Sequence, residues 1–301
     1  MYKLKCAVQN YDWGQIGSDS LVAKIFSANG GLVDENKKYA EYWMGTHING
    51  PSYIELDGES KISLWKFLRE RFNLQDGLPF LFKVLSIKDP LSIQVHPDKQ
   101  LAKYLHETEK NNYKDPNHKP EMAIVLSESF EMFYGLLQLD SAREILELVF
   151  SSFVASQSEA FLKSCEKLIN EKSNKAYKIF LQELILLEEK EYKNIIQSLV
   201  DSVNNYQYNT ENSSIKIKLK LFETLNETFK YDRGLLFSLF MNYLHLKQGE
   251  FIFIDANVPH AYIKGDCAEC MANSDNVIRL GLTPKFVDSK NFLKVKICLI
   301  F

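Results

Sequence analysis

The sequence predicts a mainly β domain split by an inserted α-helical block. Three observations carry this. First, no glycine or proline occurs between Leu136 and Arg233, although eight prolines fall elsewhere, at 51, 79, 90, 97, 116, 120, 259 and 284. Both residues mark turns, so roughly 100 residues without either point to helices. Second, "SAREILELVFSSF" and "NKAYKIFLQELILLEEKEYKNIIQSLVDSV" repeat Ile, Leu, Phe and Val at spacings of three and four, one face of a helix. Third, the flanks hold short apolar runs cut by Gly, Pro, Asn and Asp. The expected division is 1–137 plus 233–301 for the β domain and 138–232 for the helical insertion.

In chain order, the run Phe80–Leu85 leads to "SIQVHPDK" at 92–99, whose alternation reads as a strand. Gln94 and His96 then share one face, and Pro97 ends the strand. "NHKPEMAIVL" places Glu121 just before another apolar strand. Asp140 or Ser141 is positioned to cap the first inserted helix. "YNTENSS" at 208–214 reads as a loop, with further helix from about Ile215 to Leu246 that carries His245. His106 also falls in a helical stretch. "GEFIFIDANVPHAYIKGD" is strand, turn, strand, and delivers His260 after Pro259. The terminal "KVKICLIF" reads as a strand that needs a partner.

The chain has 301 residues, 46% of them apolar, which suits one large or two modest domains with a substantial core. A net charge of −3 gives no basic character to attract nucleic acid or a membrane surface. A phosphorylated substrate needs only a few local Lys and Arg. "MYKLKCAVQNYDWG" lacks the apolar core of a signal peptide, and no 18-residue apolar run is present. Five cysteines, at 6, 165, 267, 270 and 298, are odd in number and dispersed. That pattern fits free thiols in a reducing compartment, and the cytoplasm is the expected location.

Gln94, His96, Glu121 and His260 form a mixed nitrogen and oxygen set at strand ends. Imidazole and carboxylate suit Zn²⁺ and other first-row divalent ions, with a coordination position left for water or substrate. The stretch around His260 resembles the second half of a cupin, where a turn brings a histidine to the barrel mouth. The competing reading is a set of surface or internally satisfied residues. His47 and His118 lie in loops; His118 is either a solvated residue or a proton-transfer group beside the metal. "CAEC" at 267–270 is a single CxxC without a second pair, so packing is favoured over a zinc or redox role. "NSDNVIRLGLTPKF" gathers Asp275, Asn276, Arg279 and Lys285. Arg gives bidentate geometry and Lys a point charge for a phosphate or an anionic intermediate. The plainer alternative is a polar turn.

Six stretches then resemble one family: "YDWG" (11–14), "AEYWMGTH" (40–47), "PFLFKVLSIKDPLSIQVHPDK" (79–99), "HKPEMAIVL" (118–126), "VPHAY" (258–262) and "ECMANSDNVIRLGLTPKF" (269–286). In this order, around the helical gap, the chain is similar to type I phosphomannose isomerases. These are zinc-dependent cupins, jelly rolls with a helical insertion, that interconvert mannose 6-phosphate and fructose 6-phosphate. The resemblance implies one Zn²⁺ per subunit on Gln94, His96, Glu121 and His260, and an active-site Arg279. It implies Lys119, His118 or Asp275 for proton transfer and Trp13, Glu41 and Lys285 near the sugar; lysines and hydroxyls suit the phosphate, with Ser92, Lys83 and Lys285 as the candidates. Tyr42 and Ile48 stand where similar proteins often have Leu and Pro, and larger members continue past the "TPKF" motif into a further β domain. The implied reaction is aldose–ketose isomerisation through an enediol. Alternatives are a non-catalytic sugar-phosphate-binding cupin, a truncated relic of the enzyme, or an iron cupin that activates oxygen, which Gln94 as a ligand fits less well. A monomer is the expected state, with a dimer as the alternative.

Overall fold

Antiparallel pairing builds two sheets that share one long strand. The structure, a computed structural model, describes residues 2–56, 61–204 and 210–296. Its main strands are β1 (Ala7–Gln9), β2 (Glu41–Met44), β3 (Phe80–Ile87), β4 (Ile93–Val95), β5 (Glu121–Val125), β6 (Ser129–Leu136), β7 (Met241–Lys247), β8 (Phe251–Ile254), β9 (His260–Ala272) and β10 (Ile278–Gly281). The first sheet runs β1-β2-β3-β9-β5-β8, and the second β7-β6-β9-β4-β10. β9 pairs with β6 over His260–Lys264 and with β3 over Gly265–Ala272. The crossing is at Gly265, where φ is +116° and a Cβ would lie 2.7 Å from the Ser129 carbonyl oxygen. Only glycine adopts that backbone and fits that space.

Period-two alternation sends one side of each strand between the sheets. In β5, Glu121, Ala123 and Val125 are buried while Met122 and Ile124 are exposed. The inner core holds Leu85, Ile87, Phe130, Met132, Ile254, Tyr262 and Cys267. Each such burial of a large apolar side chain contributes about 1.5–3 kcal/mol.

Between β6 and β7 lie α4 (Leu139–Phe153), α5 (Glu159–Glu171), α6 (Asn174–Leu186), α7 (Glu189–Asn204) and α8 (Ser213–Thr228), preceded in the chain by α1 (Leu21–Ala28), α2 (Leu64–Phe72) and α3 (Lys99–Thr108) and followed by α9 (Gly234–Ser238) and α10 (Ser289–Lys294). The inserted helices cover the outer face of the second sheet: Ile93, Val95, Phe133, Ile278 and Leu280 share one core with Phe153, Phe161 and Phe180. Phe180 meets Phe240, just before β7, edge-on at 4.8 Å. On the first sheet, α1 packs Val22 and Ala23 against Tyr42 and Val84. Among the described residues no helix is long and apolar enough to cross a membrane.

Two local expectations are corrected, and two more fall partly outside the described residues. The helix expected to reach Leu246 ends at Thr228, and Met241–Lys247 is strand β7, paired with β6 from Ser129↔Lys247 to Leu136↔Met241. Cross-strand pairing overrides the helical spacing there. His245 is therefore a strand residue, with its Nε2 2.7 Å from Ser129 Oγ. The cap of α4 is Gln138, with no side-chain bond; Asp140 lies in the first turn, where its charge favours the helix dipole. Of the expected 208–214 loop, residues 208 and 209 lie outside the described residues, and Ser213 already opens α8, capped by Asn212. Of the expected terminal strand, Lys294 ends α10, and 297–301 lie outside the described residues.

Candidate metal centre and active site

Strand pairing brings the four proposed ligands together. His260 opens β9 directly opposite Gln94 in β4. His96 follows β4 by one residue, and Glu121 opens β5 in the other sheet. Ligand atoms of His96, Glu121 and His260 all lie within 4.8 Å of one another. His96 Nε2 is 3.2 Å from Glu121 Oε1, and His260 Nε2 is 3.3 Å from Glu121 Oε2. All three side chains are buried.

The second nitrogen of each imidazole fixes its orientation. His96 Nδ1 lies 2.8 Å from the Asn276 carbonyl and His260 Nδ1 2.9 Å from the Val258 carbonyl. Each Nδ1 therefore carries the proton and donates, which turns a bare Nε2 lone pair toward Glu121. His96 Nε2 has no hydrogen-bond partner. Lone pairs facing a buried carboxylate repel it unless a cation lies between. A proton does not fill that role at neutral pH, because burial pushes the His96 imidazole down to about 4 despite the pull of Glu121. Burial opposes charge on Glu121, but the Lys119 ammonium beside it holds the carboxyl well below its usual range.

Gln94 completes the set after one rotation. Its Nε2 lies 3.3 Å from His260 Nε2, and its Oε1 accepts from Ser92 Oγ at 3.5 Å. A half-turn of the amide exchanges the two atoms at little cost in shape, and brings oxygen to the cluster. Two imidazole nitrogens, a carboxylate and an amide oxygen fit a divalent ion of the zinc kind.

The cluster lies at the floor of a cleft of about 630 Å³. Trp13, Glu41, Ser92, Gln94, Lys119, Glu121, Asp275, Arg279 and Lys285 all line it. His118 is half-buried and is not among its described lining. Lys119 Nζ sits 2.9 Å from Glu121 Oε1. Arg279, in β10, pairs across from Gln94. Burial lowers its guanidinium and also the Lys285 ammonium, on which Arg279 acts in the same direction. Lys285 Nζ stands 5.6 Å over the Tyr11 ring. Asp275 Oδ1 lies 3.2 Å from His47 Nε2. His47 Nδ1 accepts the Asn49 N–H, so Nε2 holds the proton and donates to Asp275. That hydrogen bond, against the effect of burial, keeps the Asp275 carboxyl below its usual range.

One buried network was only partly visible in the sequence. Lys83 Nζ lies 3.3 Å from Glu269 Oε2 and 3.4 Å from Glu41 Oε2. Burial works against its charge, but Glu41 and Glu269 hold it above the ordinary lysine value. Tyr262 donates its hydroxyl to Glu269 Oε1 at 3.0 Å. Neither Glu269 nor Tyr262 stood out in the sequence as chemistry. The available signal was alternation in β9, which places Glu269 on the same face as buried Cys267 and Met271. The same alternation separates the CxxC pair: Cys267 faces the core and Cys270 the opposite side, both as free thiols.

Comparison with known proteins agrees with this arrangement. Residues 1–138 match the family model described as phosphomannose isomerase type I, catalytic domain. The mannose-6-phosphate isomerase of Schizosaccharomyces pombe is 41% identical over 299 residues, 96% of this chain and 71% of that one. The human enzyme of the same name is 39% identical over 307 residues, again 96% of this chain and 71% of its own length. A crystal structure of a zinc-bound mannose 6-phosphate isomerase superposes with a TM-score of 0.81 at 29% identity, covering 98% of this chain and 74% of that one. A variant of phosphomannose isomerase from Salmonella typhimurium gives the same TM-score. With a cupin-type double sheet, a metal-ready floor and identity sustained along almost its full length, this chain belongs to the type I phosphomannose isomerase family.

Proposed function

We propose that the cleft interconverts mannose 6-phosphate and fructose 6-phosphate, with zinc held by Gln94, His96, Glu121 and His260. The observation that carries this is the pair of Nε2 lone pairs turned on a buried carboxylate at the floor of a cleft walled by Arg279 and Asp275. The similarity to mannose-6-phosphate isomerases over 96% of the chain supports the substrate. Zinc, when bound there, supplies a Lewis acid for the oxygens on C1 and C2.

The chain's own groups supply the rest. Asp275 is ionised, lines the cleft and is oriented by His47. It is suited to take the proton from C2 of the aldose and return it to C1. Lys119 is paired with Glu121, which suits it to keeping that ligand anionic more than to acting as a base. Guanidinium N–H groups of Arg279 stabilise the negative charge of the enediolate. Lys285, close enough to Arg279 to feel its charge, suits the phosphate. Lys83 is committed to Glu41 and Glu269 and braces the floor. The cytoplasm is the proposed compartment, in line with free thiols at Cys6, Cys165, Cys267 and Cys270.

A coupled assay of fructose 6-phosphate formation tests the reading. Activity should disappear on chelation and return with Zn²⁺. Sugar-phosphate binding without turnover in the zinc-loaded protein would instead identify a binding cupin.

A further inference from the structure

The helical insertion returns to the β domain through Asp232, Arg233 and Gly234, where α9 begins. Asp232 and Gly234 bind the turn that follows β10, and Arg233 binds the helices on either side of it. Asp232 Oδ1 accepts the Gly234 N–H at 2.6 Å and the Leu282 N–H at 2.7 Å, and Oδ2 accepts the Thr283 N–H at 3.4 Å. Arg233 donates to the Ile185 carbonyl at the end of α6 and to Ser289 Oγ at the start of α10, each at 2.7 Å, and lies 4.9 Å over the Tyr192 ring of α7. Gly234 meets Gly281 backbone to backbone: a Cβ on Gly281 would stand 2.4 Å from the Gly234 nitrogen. The joint therefore has no slack.

What the joint holds is a strained turn at the cleft. Leu282 is buried and takes a left-handed φ of +54°, which a side chain with a Cβ resists. Such a conformation persists only where its surroundings fix it. The Asp232 carboxylate does so, with charge-assisted hydrogen bonds to the N–H groups of Leu282 and Thr283. Thr283 Oγ1 in turn accepts the Lys285 N–H at 3.1 Å, which sets the root of the Lys285 side chain. Leu282, Thr283 and Lys285 line the cleft, and so do Thr228 and Phe229 from the end of the insertion. We propose that Asp232 is a positioning residue for the substrate, holding this turn so that Lys285 meets the phosphate. The proposal rests on the reading of Lys285 as the phosphate partner, and it gives the insertion a part in recognition. Arg279 is anchored separately, by its pairing with Gln94 and by its carbonyl, which accepts the Asp288 N–H at 2.9 Å. The phosphate is remote from C1 and C2, so its contact is made alike in the ground and transition states. Losing it raises KM and leaves kcat in place.

The experiment is steady-state kinetics of the zinc-loaded full chain on mannose 6-phosphate, with inorganic phosphate as competitive inhibitor. Asp232→Ala should raise both KM and the phosphate Ki at least about tenfold, with kcat within about twofold of wild type and a full zinc complement. In a Lys285→Ala background the same change should add little, because the turn then has no ammonium to present. A merely structural role would lower kcat or zinc content, leave the phosphate Ki alone and add to the Lys285→Ala loss. Should Asp232→Ala fold poorly, the shape-preserving Asp232→Asn decides. Its amide keeps one acceptor but sets a donor against the Thr283 N–H, so its phosphate Ki should rise at least about threefold. A wild-type Ki in folded Asp232→Asn, unchanged KM and Ki in Asp232→Ala, a loss confined to kcat, or losses additive with Lys285→Ala overturn the proposal. A loss in Lys285→Ala with none in Asp232→Ala sinks this proposal alone. No loss in Lys285→Ala removes the phosphate reading of Lys285, and the role of Asp232 with it.

Discussion

Gln94 and His260 face each other across the β4–β9 pairing, with Gln94 Nε2 3.3 Å from His260 Nε2. A rigid ladder thus sets the spacing of two proposed ligands, while Glu121 arrives from the other sheet. His96→Ala and His260→Ala should each abolish stoichiometric zinc, measured by elemental analysis after gel filtration. Gln94→Ala should retain zinc with an affinity reduced by about tenfold or more, read by competition with a chelating dye.

Arg279 touches none of the ligand side chains in a hydrogen bond, so its loss should separate chemistry from metal binding. Arg279→Ala should hold a full zinc complement and lose about 10²–10³ in kcat, the size expected for one transition-state donor. Near-normal kcat would remove Arg279 from the mechanism.

Asp275 and His47 offer a graded pair. Asp275→Asn should lose about 10²–10⁴ in turnover, and with it the exchange of the C2 proton with solvent, followed by NMR in deuterium oxide. His47→Ala should keep the base and lose only its orientation, so its deficit should be distinctly smaller. Equal losses would mean that His47 itself meets the substrate.

Lys218 in α8 is a buried cation without a counter-ion among the described residues; it donates to the Met241 carbonyl, and burial pushes its pKa down to about 8 from an ordinary 10.5. Between those values the unfolded chain binds more protons than the folded one, so stability rises with pH across that window. Below about 8 the penalty is fully present. Lys218→Met should therefore stabilise the protein at neutral pH by about 1–3 kcal/mol, and its advantage should shrink toward pH 10.5. Urea unfolding of both proteins across the window checks this.

Gly265→Ala introduces a side chain at φ +116°, with its Cβ 2.7 Å from a backbone oxygen. A loss of about 2–4 kcal/mol is expected in thermal or urea unfolding, together with a lower zinc content. Full stability would mean that β9 does not need its bend.

The helical insertion was legible because roughly 100 residues without glycine or proline leave few other structures. Spacing only suggested Gln94, His96, Glu121 and His260 as a set, and the resemblance of the motifs around them to one family made them the proposed ligands. β7 was not: Leu239, Tyr243 and Leu246 satisfy helical spacing as well, and only pairing with β6 decides between them. The Lys83–Glu269 contact depends on register between strands far apart in the chain, which no local pattern encodes. The same holds for the outer face of the first sheet, where Phe80, Phe82 and Phe251 look like core residues until the sheet shows which side they take.

β9 belongs to both sheets, so His260 and Glu269 ride on one strand. A slip of one residue would turn the histidine away from the proposed metal site and, in the same motion, push the glutamate out onto the outer face of the sheet. Ligand and cleft floor therefore cannot be adjusted independently. Any change that resets the phase of this strand is felt at both places, and selection on either one polices the other.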